Sequence, residues 1–227
     1  MRKPISRRNF IKLTGGGVAL AAGASLWPKF MGRNVLQPLT AEAATEAVDY
    51  DLFLGGTDGW ISLPPSPAIP PFHPDVLAPN GLSTYIFGFR NVTDLTAQQR
   101  ANQKNKAQHN APLFWIKQEE LFRVRLTNLG LALRPDLFDA HTLHWHGFRN
   151  VIPFFDGEPT GSVSVTPGND FTYAYKAHDP GTYMYHCHVE DVEHVHMGMT
   201  GLVFVRPSQD GNTSLYPSGK YAYNDGD

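Results

Sequence analysis

The chain has 227 residues, of which 41% are hydrophobic and 18% charged, a balance that supports a packed core and excludes a disordered tail. Its formal charge of −2 is unevenly spread: residues 1–43 hold seven basic side chains and one acidic one, leaving twelve against twenty, a net of −8, in the remainder. Such an acidic surface excludes nucleic acid as a partner, because a phosphate backbone needs a basic face. The single cysteine excludes a disulfide within the chain.

In chain order, Ser6-Arg7-Arg8-Asn9-Phe10-Ile11-Lys12 and the Gly/Ala-rich apolar run from Leu13 to Trp27 resemble a twin-arginine export signal. The run is short and glycine-rich for a membrane span and is broken by Pro28-Lys29. Ala41-Glu42-Ala43 offers a small-x-small cleavage site, so the mature chain is expected to start near Ala44, without stable membrane insertion. The alternative is an uncleaved N-terminal anchor. The expected organisation is a signal over 1–43, one domain over 44–206, and a polar, turn-rich, linker-like tail over 207–227. Export by this route leads to the periplasm or outside the cell. An unpaired thiol there must be buried or otherwise occupied.

The mature chain reads as short strands. These are expected at Tyr50–Leu54, Thr84–Phe89, Leu113–Ile116, Leu121–Asn128, His141–Phe148, Ser162–Thr166, Phe171–Lys176, Thr182–His188 and Gly201–Val205. A proline-rich loop runs from Pro64 through Pro71, and Thr96–Asn110 reads as a surface loop or short helix. Turn signals stand at Pro167-Gly168-Asn169-Asp170 and Asp179-Pro180-Gly181. Short strands at this spacing with little helical period predict an all-β antiparallel sandwich.

Metal-ligand side chains gather in two clusters: His141, His144 and His146, then His186-Cys187-His188 followed by His194 and Met199. Side chains on a strand alternate faces. Alternation puts His144 and His146 on one face and His141 on the other, and it sets Cys187 opposite His186 and His188. Two sites are therefore expected. Two imidazoles, a thiolate and a thioether are the ligands of a mononuclear blue-copper centre, here His141, Cys187, His194 and Met199. His196 and Met197 compete for the last two roles; the Gly198-Met199-Thr200-Gly201 turn into the final strand favours His194 and Met199. The four-imidazole set suits zinc or copper by ligand type, and the covalent link through Cys187 favours copper.

Leu143-His144-Trp145-His146-Gly147-Phe148, Phe155-Asp156-Gly157-Glu158-Pro159 and Pro180-Gly181-Thr182-Tyr183-Met184-Tyr185-His186-Cys187-His188 together resemble the multicopper oxidases, the family of laccases and their relatives. The resemblance covers roughly residues 50–205. It implies a Greek-key β-sandwich of the cupredoxin fold, with a type 1 copper and half of a cluster that reduces dioxygen to water. By the resemblance, His144 would ligate the type 2 copper and His146, His186 and His188 the type 3 pair. Asp156 would be the catalytic acid that helps deliver protons, its alternative role being an ordinary Asp-Gly turn.

The interval from Cys187 to His194 is longer than in most laccases. The cluster also needs eight histidines, and this chain offers four. The other half is expected from a second cupredoxin domain, which the linker-like tail favours, or from neighbouring copies in a homotrimer. The expected partners are dioxygen and a small-molecule (phenol-like) or metal-ion electron donor that meets the exposed edge of His194. Glu190, Asp191 and Glu193 stand nearby, either to attract such donors or as a solvated acidic loop. The competing readings are a single-copper electron carrier, which leaves the four-imidazole set idle, and a copper nitrite reductase, in which a histidine does not normally follow the cysteine.

Overall fold

A computed structural model describes residues 50–67 and 77–218. The expected export signal, its cleavage segment, Pro70-Pro71 and residues 219–227 lie outside the described residues. The strands are β1 (Leu52–Ser62), β2 (Ser83–Asn91), β3 (Phe114–Lys117), β4 (Leu121–Asn128), β5 (His144–His146), β6 (Asp170–Lys176), β7 (Gly181–His186) and β8 (Thr200–Arg206). Two short helices, α1 (Ala97–Ala101) and α2 (Asp191–His196), and a 3-10 turn at Pro153–Phe155 interrupt them. Among the described residues no helix is long and apolar enough to cross a membrane.

Two four-stranded sheets pack face to face, one ordered β2-β1-β4-β6 and the other β3-β8-β7-β5. This is an all-β sandwich, the architecture that the sequence resemblance implies. The sheets are mixed and not purely antiparallel: β1 pairs with β4, and β3 with β8, in parallel. The reason is connectivity. The chain leaves the first sheet after β2, lays β3 in the second and returns as β4, a crossover long enough to make β4 a parallel neighbour of β1.

β4 shows the alternation that builds the core, with Val124 and Leu126 fully buried between half-exposed Arg123 and Arg125. Trp145, at 1% exposure, is the corresponding inward residue of β5 and lies 4.2 Å from the Tyr175 ring, centroid to centroid. Such aromatic pairs contribute about 0.5–1.5 kcal/mol beyond the area they bury. Because Trp145 points inward, its neighbours His144 and His146 point out of the sandwich.

Several expected boundaries move. β1 runs on past Leu54 through Gly55-Gly56, since glycine within a strand also marks close approach by another group. The strand expected at His141–Phe148 is regular only at His144–His146, and the one expected at Ser162–Thr166 is reduced to an isolated bridge between Val165 and His141. Thr142 does not extend the ladder; its hydroxyl accepts the His188 N–H at 2.9 Å. β7 stops at His186, and the segment expected as a loop contains α2. A six-residue helix is too short to leave a periodic signature. The start of the tail is tied back to the body, with the Ser208 N–H donating to Gln118 Oε1 at 3.0 Å.

Candidate metal centre

Residues from three separate elements build the first set. The bridge to Val165 fixes His141, the end of β7 delivers Cys187, and α2 carries His194; all three are fully buried. Cys187 Sγ lies 3.3 Å from His194 Nδ1 and 4.0 Å from His141 Nδ1. The two imidazole centroids are 5.1 Å apart. Met199 is fully buried beside them. A Cβ built at Gly56 would stand 2.8 Å from His141 Cδ2 and 3.3 Å from the Met199 methyl, so the missing side chain of Gly56 is the space these two occupy. Met197 is buried as well, at 3% exposure, whereas His196 is exposed.

Burial sets the electrostatics of this set. It pushes the Cys187 thiol up to about 11 and, with His194 nearby, the His141 imidazole down to about 3. Both groups are therefore neutral at pH 7, and a cation that displaces the thiol proton gains a buried anion as its ligand.

The second set lies on the outward side of β5 and β7. His144 is opposite His186 in the ladder, and His146 Nδ1 is 3.3 Å from His186 Nε2. The His144 ring lies 5.1 Å from His186 and 4.9 Å from His188. Backbone carbonyls orient two of the rings: His144 Nδ1 donates to the Asp156 carbonyl and His186 Nδ1 to the Cys187 carbonyl, each at 2.8 Å. Those bonds turn the Nε2 atoms of both rings into the cluster. His146 is exposed and His144 half-buried.

Asp156 lies beside this set, its Oδ1 3.5 Å from His144 Nδ1. Burial holds its carboxyl above the usual carboxylate range, with His144 and His188 drawing it partly back. The next residue has a separate task. Gly157 has φ +71°, and a Cβ there would overlap the Leu143 carbonyl, so the Asp-Gly pair lets the loop press against the backbone that carries His144.

Two features differ from expectation. The edge of His194 is not exposed: the ring is covered by Phe87, 4.7 Å away centroid to centroid, and its Nε2 lies 3.4 Å from Asp139 Oδ2. The separation of His141 from His144 does not come from alternation along one strand, because the chain between them leaves the ladder. Asp139 escaped sequence reasoning. The available signal was its position two residues before His141, on the same side of an extended segment.

The donor sets fit copper. One gathers two imidazole nitrogens and a sulfur, all buried, within 4.8 Å of one another, and the other gathers imidazoles alone. Residues 104–210 match the family model described as multicopper oxidase. The chain is 41% identical over 71 residues to Laccase 1 of Metarhizium guizhouense, which is 30% of this chain and 11% of that protein. It is 44% identical over 55 residues to Multicopper oxidase MmcO of Mycobacterium tuberculosis, 23% of this chain and 10% of that one. The chain thus spans about a tenth of the length of these curated relatives. Among solved structures, the blue copper oxidase from Nitrosomonas europaea aligns at 28% identity and a TM-score of 0.48, covering 69% of this chain and 38% of that one. Residues 104–210 hold every histidine, cysteine and methionine named in the two sets, so the stretch that is similar to multicopper oxidases is the stretch that builds both of them.

Proposed function

We propose that the chain is the type 1 copper domain of a copper-dependent oxidase that draws electrons from a phenol-like or metal-ion donor and reduces dioxygen to water. Copper bound at the two sets supplies one-electron transfer at the first and multi-electron reduction of dioxygen at the second. His141, Cys187, His194 and Met199 would hold the type 1 ion. His144 would hold the type 2 ion, and His146, His186 and His188 the type 3 pair. The observation that carries this reading is the junction at Cys187. Its sulfur faces His194 at 3.3 Å, while the residue before it faces His146 at the same distance.

The chain's own groups divide the work. Cys187 bridges the sets through its two peptide bonds, a covalent path that a zinc site would not use. Burial of His141, Cys187 and His194 keeps water from the sulfur and holds the rings against rearrangement. Asp156, whose carboxyl burial holds above the usual carboxylate range, is placed to exchange a proton beside His144. A one-copper carrier accounts for the first set and leaves the second, and its carbonyl-oriented rings, without a purpose.

Half a cluster needs a partner, and the outward face of the second sheet supports one. Leu202, Met184 and His146 lie side by side across β8, β7 and β5, with Trp115 opposite Phe204 at the next strand. Leu113, Trp115 and Leu202 are 70%, 53% and 49% exposed. β4 of the other sheet turns Arg123, Arg125 and Thr127 outward instead. Contiguous exposed apolar residues mark association surfaces, and this one runs up to the histidines that need completing. We propose that a second cupredoxin domain or a neighbouring copy in a homotrimer sits there. Export by the twin-arginine route to the periplasm or beyond belongs to the same proposal, supported by Arg7-Arg8 and the apolar run after them.

The test is to load the full chain with copper and measure metal per chain, visible absorption, dioxygen uptake with a phenolic donor, and assembled mass together. The reading predicts more than one copper per chain, a blue band and an assembly larger than one chain. One copper per chain in a blue monomer would instead support the carrier.

A further inference from the structure

We propose that Asp139 is a positioning residue for the first metal set: its carboxylate fixes which nitrogen of His194 faces Cys187, and the buried side chain of Asn128 holds Asp139 in place for that task. The proposal rests on the reading of His194 as a copper ligand.

His194 stands on a six-residue helix whose N-cap residue, Glu190, provides no side-chain cap, so the helix is a poor source of its own order. The ring is held at both nitrogens instead. Nδ1 lies 3.3 Å from Cys187 Sγ, and Nε2 lies 3.4 Å from Asp139 Oδ2. A carboxylate only accepts, so the ring N–H belongs on Nε2 and the Nδ1 lone pair faces the sulfur. The opposite tautomer would set two acceptors against each other and aim an N–H at the position a metal ion takes. His141 provides the contrast: its Nε2 is buried without a hydrogen-bond partner among the described residues, and close packing at Gly56 locates the ring.

Asp139 is held in turn. Asn128 is fully buried, and its Nδ2 donates one hydrogen to the Asp139 carbonyl at 2.7 Å and the other to the Val165 carbonyl at 2.9 Å. Its Oδ1 accepts the Gly130 N–H at 2.8 Å. Val165 exchanges backbone hydrogen bonds with His141 in both directions, at 2.9 and 2.8 Å. One amide therefore ties the backbone of Asp139 to the bridge that carries the backbone of His141. Groups that orient a ligating histidine in this way typically change metal affinity by about 10–100-fold when removed.

The experiment uses the 15N-labelled full chain at pH 8, above the ordinary imidazole range. The His194 ring is read by 1H–15N correlation before copper is added, and copper affinity and reduction potential are read afterwards. The wild-type ring is expected to carry its proton on Nε2. Asp139→Ala should give mixed tautomers, copper affinity lower by about 10–100-fold and a higher potential, because a negative charge beside the ion is gone. Asp139→Asn keeps an accepting oxygen, so it should retain the Nε2 proton while still raising the potential. Asn128→Ser should act in the same direction as Asp139→Ala and add little to it in the double variant.

A wild-type proton on Nδ1 overturns the proposal whether or not any variant folds. So does a folded Asp139→Ala chain with unchanged tautomer and affinity. A wild-type chain that takes up no copper defeats the oxidase reading, while the tautomer still decides the role of Asp139.

Discussion

His186 and Cys187 are adjacent in the chain yet belong to different sets: His186 Nε2 lies 3.3 Å from His146 Nδ1, and Cys187 Sγ lies 3.3 Å from His194 Nδ1. The change of direction coincides with the end of β7. His186 is the last residue in register with β8, and Cys187 leaves the ladder with its N–H on the Met199 carbonyl at 3.1 Å. A strand end is thus what separates two metal sets by a single peptide unit.

Gly157 is predicted to be intolerant of a side chain. Gly157→Ala incurs roughly 1–3 kcal/mol for a left-handed non-glycine residue and overlaps the Leu143 carbonyl. The loop must then withdraw the Asp156 carbonyl from His144. Gly168→Ala is the control, since Gly168 also has a positive φ (+80°) but no atom of the described residues would lie within 4 Å of its added Cβ. Urea denaturation should show a clearly larger loss for Gly157→Ala. Equal losses would mean that the loop is not pressed against β5.

The metal-free chain is predicted to weaken in acid. His141 is held down to about 3 in the folded state against about 6.5 when unfolded. The unfolded chain therefore binds more protons between those values, and stability falls as pH drops through that window while staying flat above it. Urea midpoints at pH 7 and pH 5 measure the slope, which should be shallower in His141→Gln. Identical slopes would show that His141 takes up its proton without unfolding.

The apolar face of the second sheet is predicted to carry assembly. Trp115→Ser combined with Leu202→Asp should lower the assembled mass, read by sedimentation, and reduce dioxygen uptake while leaving the visible absorption intact. Unchanged mass and unchanged uptake would remove this face from the account.

Much of this architecture was legible because its signals are local. The alternation in Leu121–Asn128 corresponds to β4 residue for residue, and the stretch Thr96–Asn110, read as a surface loop or short helix, contains α1. What escaped depends on partners distant in sequence. The strand expected at Tyr50–Leu54 stopped short of Gly56, whose empty side holds His141 from 85 residues further on. The parallel pairing of β1 with β4 is fixed by the crossover between sheets and leaves no mark in either strand. Asp139 offered only its place two residues before His141, and its partner His194 is brought against it by α2. The exposed His194 edge expected from the sequence was wrong for the same reason, since Phe87 and Asp139 arrive from other elements.

The separateness of the two sets is tested most directly by counting copper in Cys187→Ser. Serine removes the sulfur and leaves both flanking imidazoles. Relative to the wild-type chain, the variant should lose its blue absorption and one copper ion per chain while retaining the copper proposed to bind at His144, His146, His186 and His188. A variant that loses all its copper, or that keeps the blue band, would contradict the account.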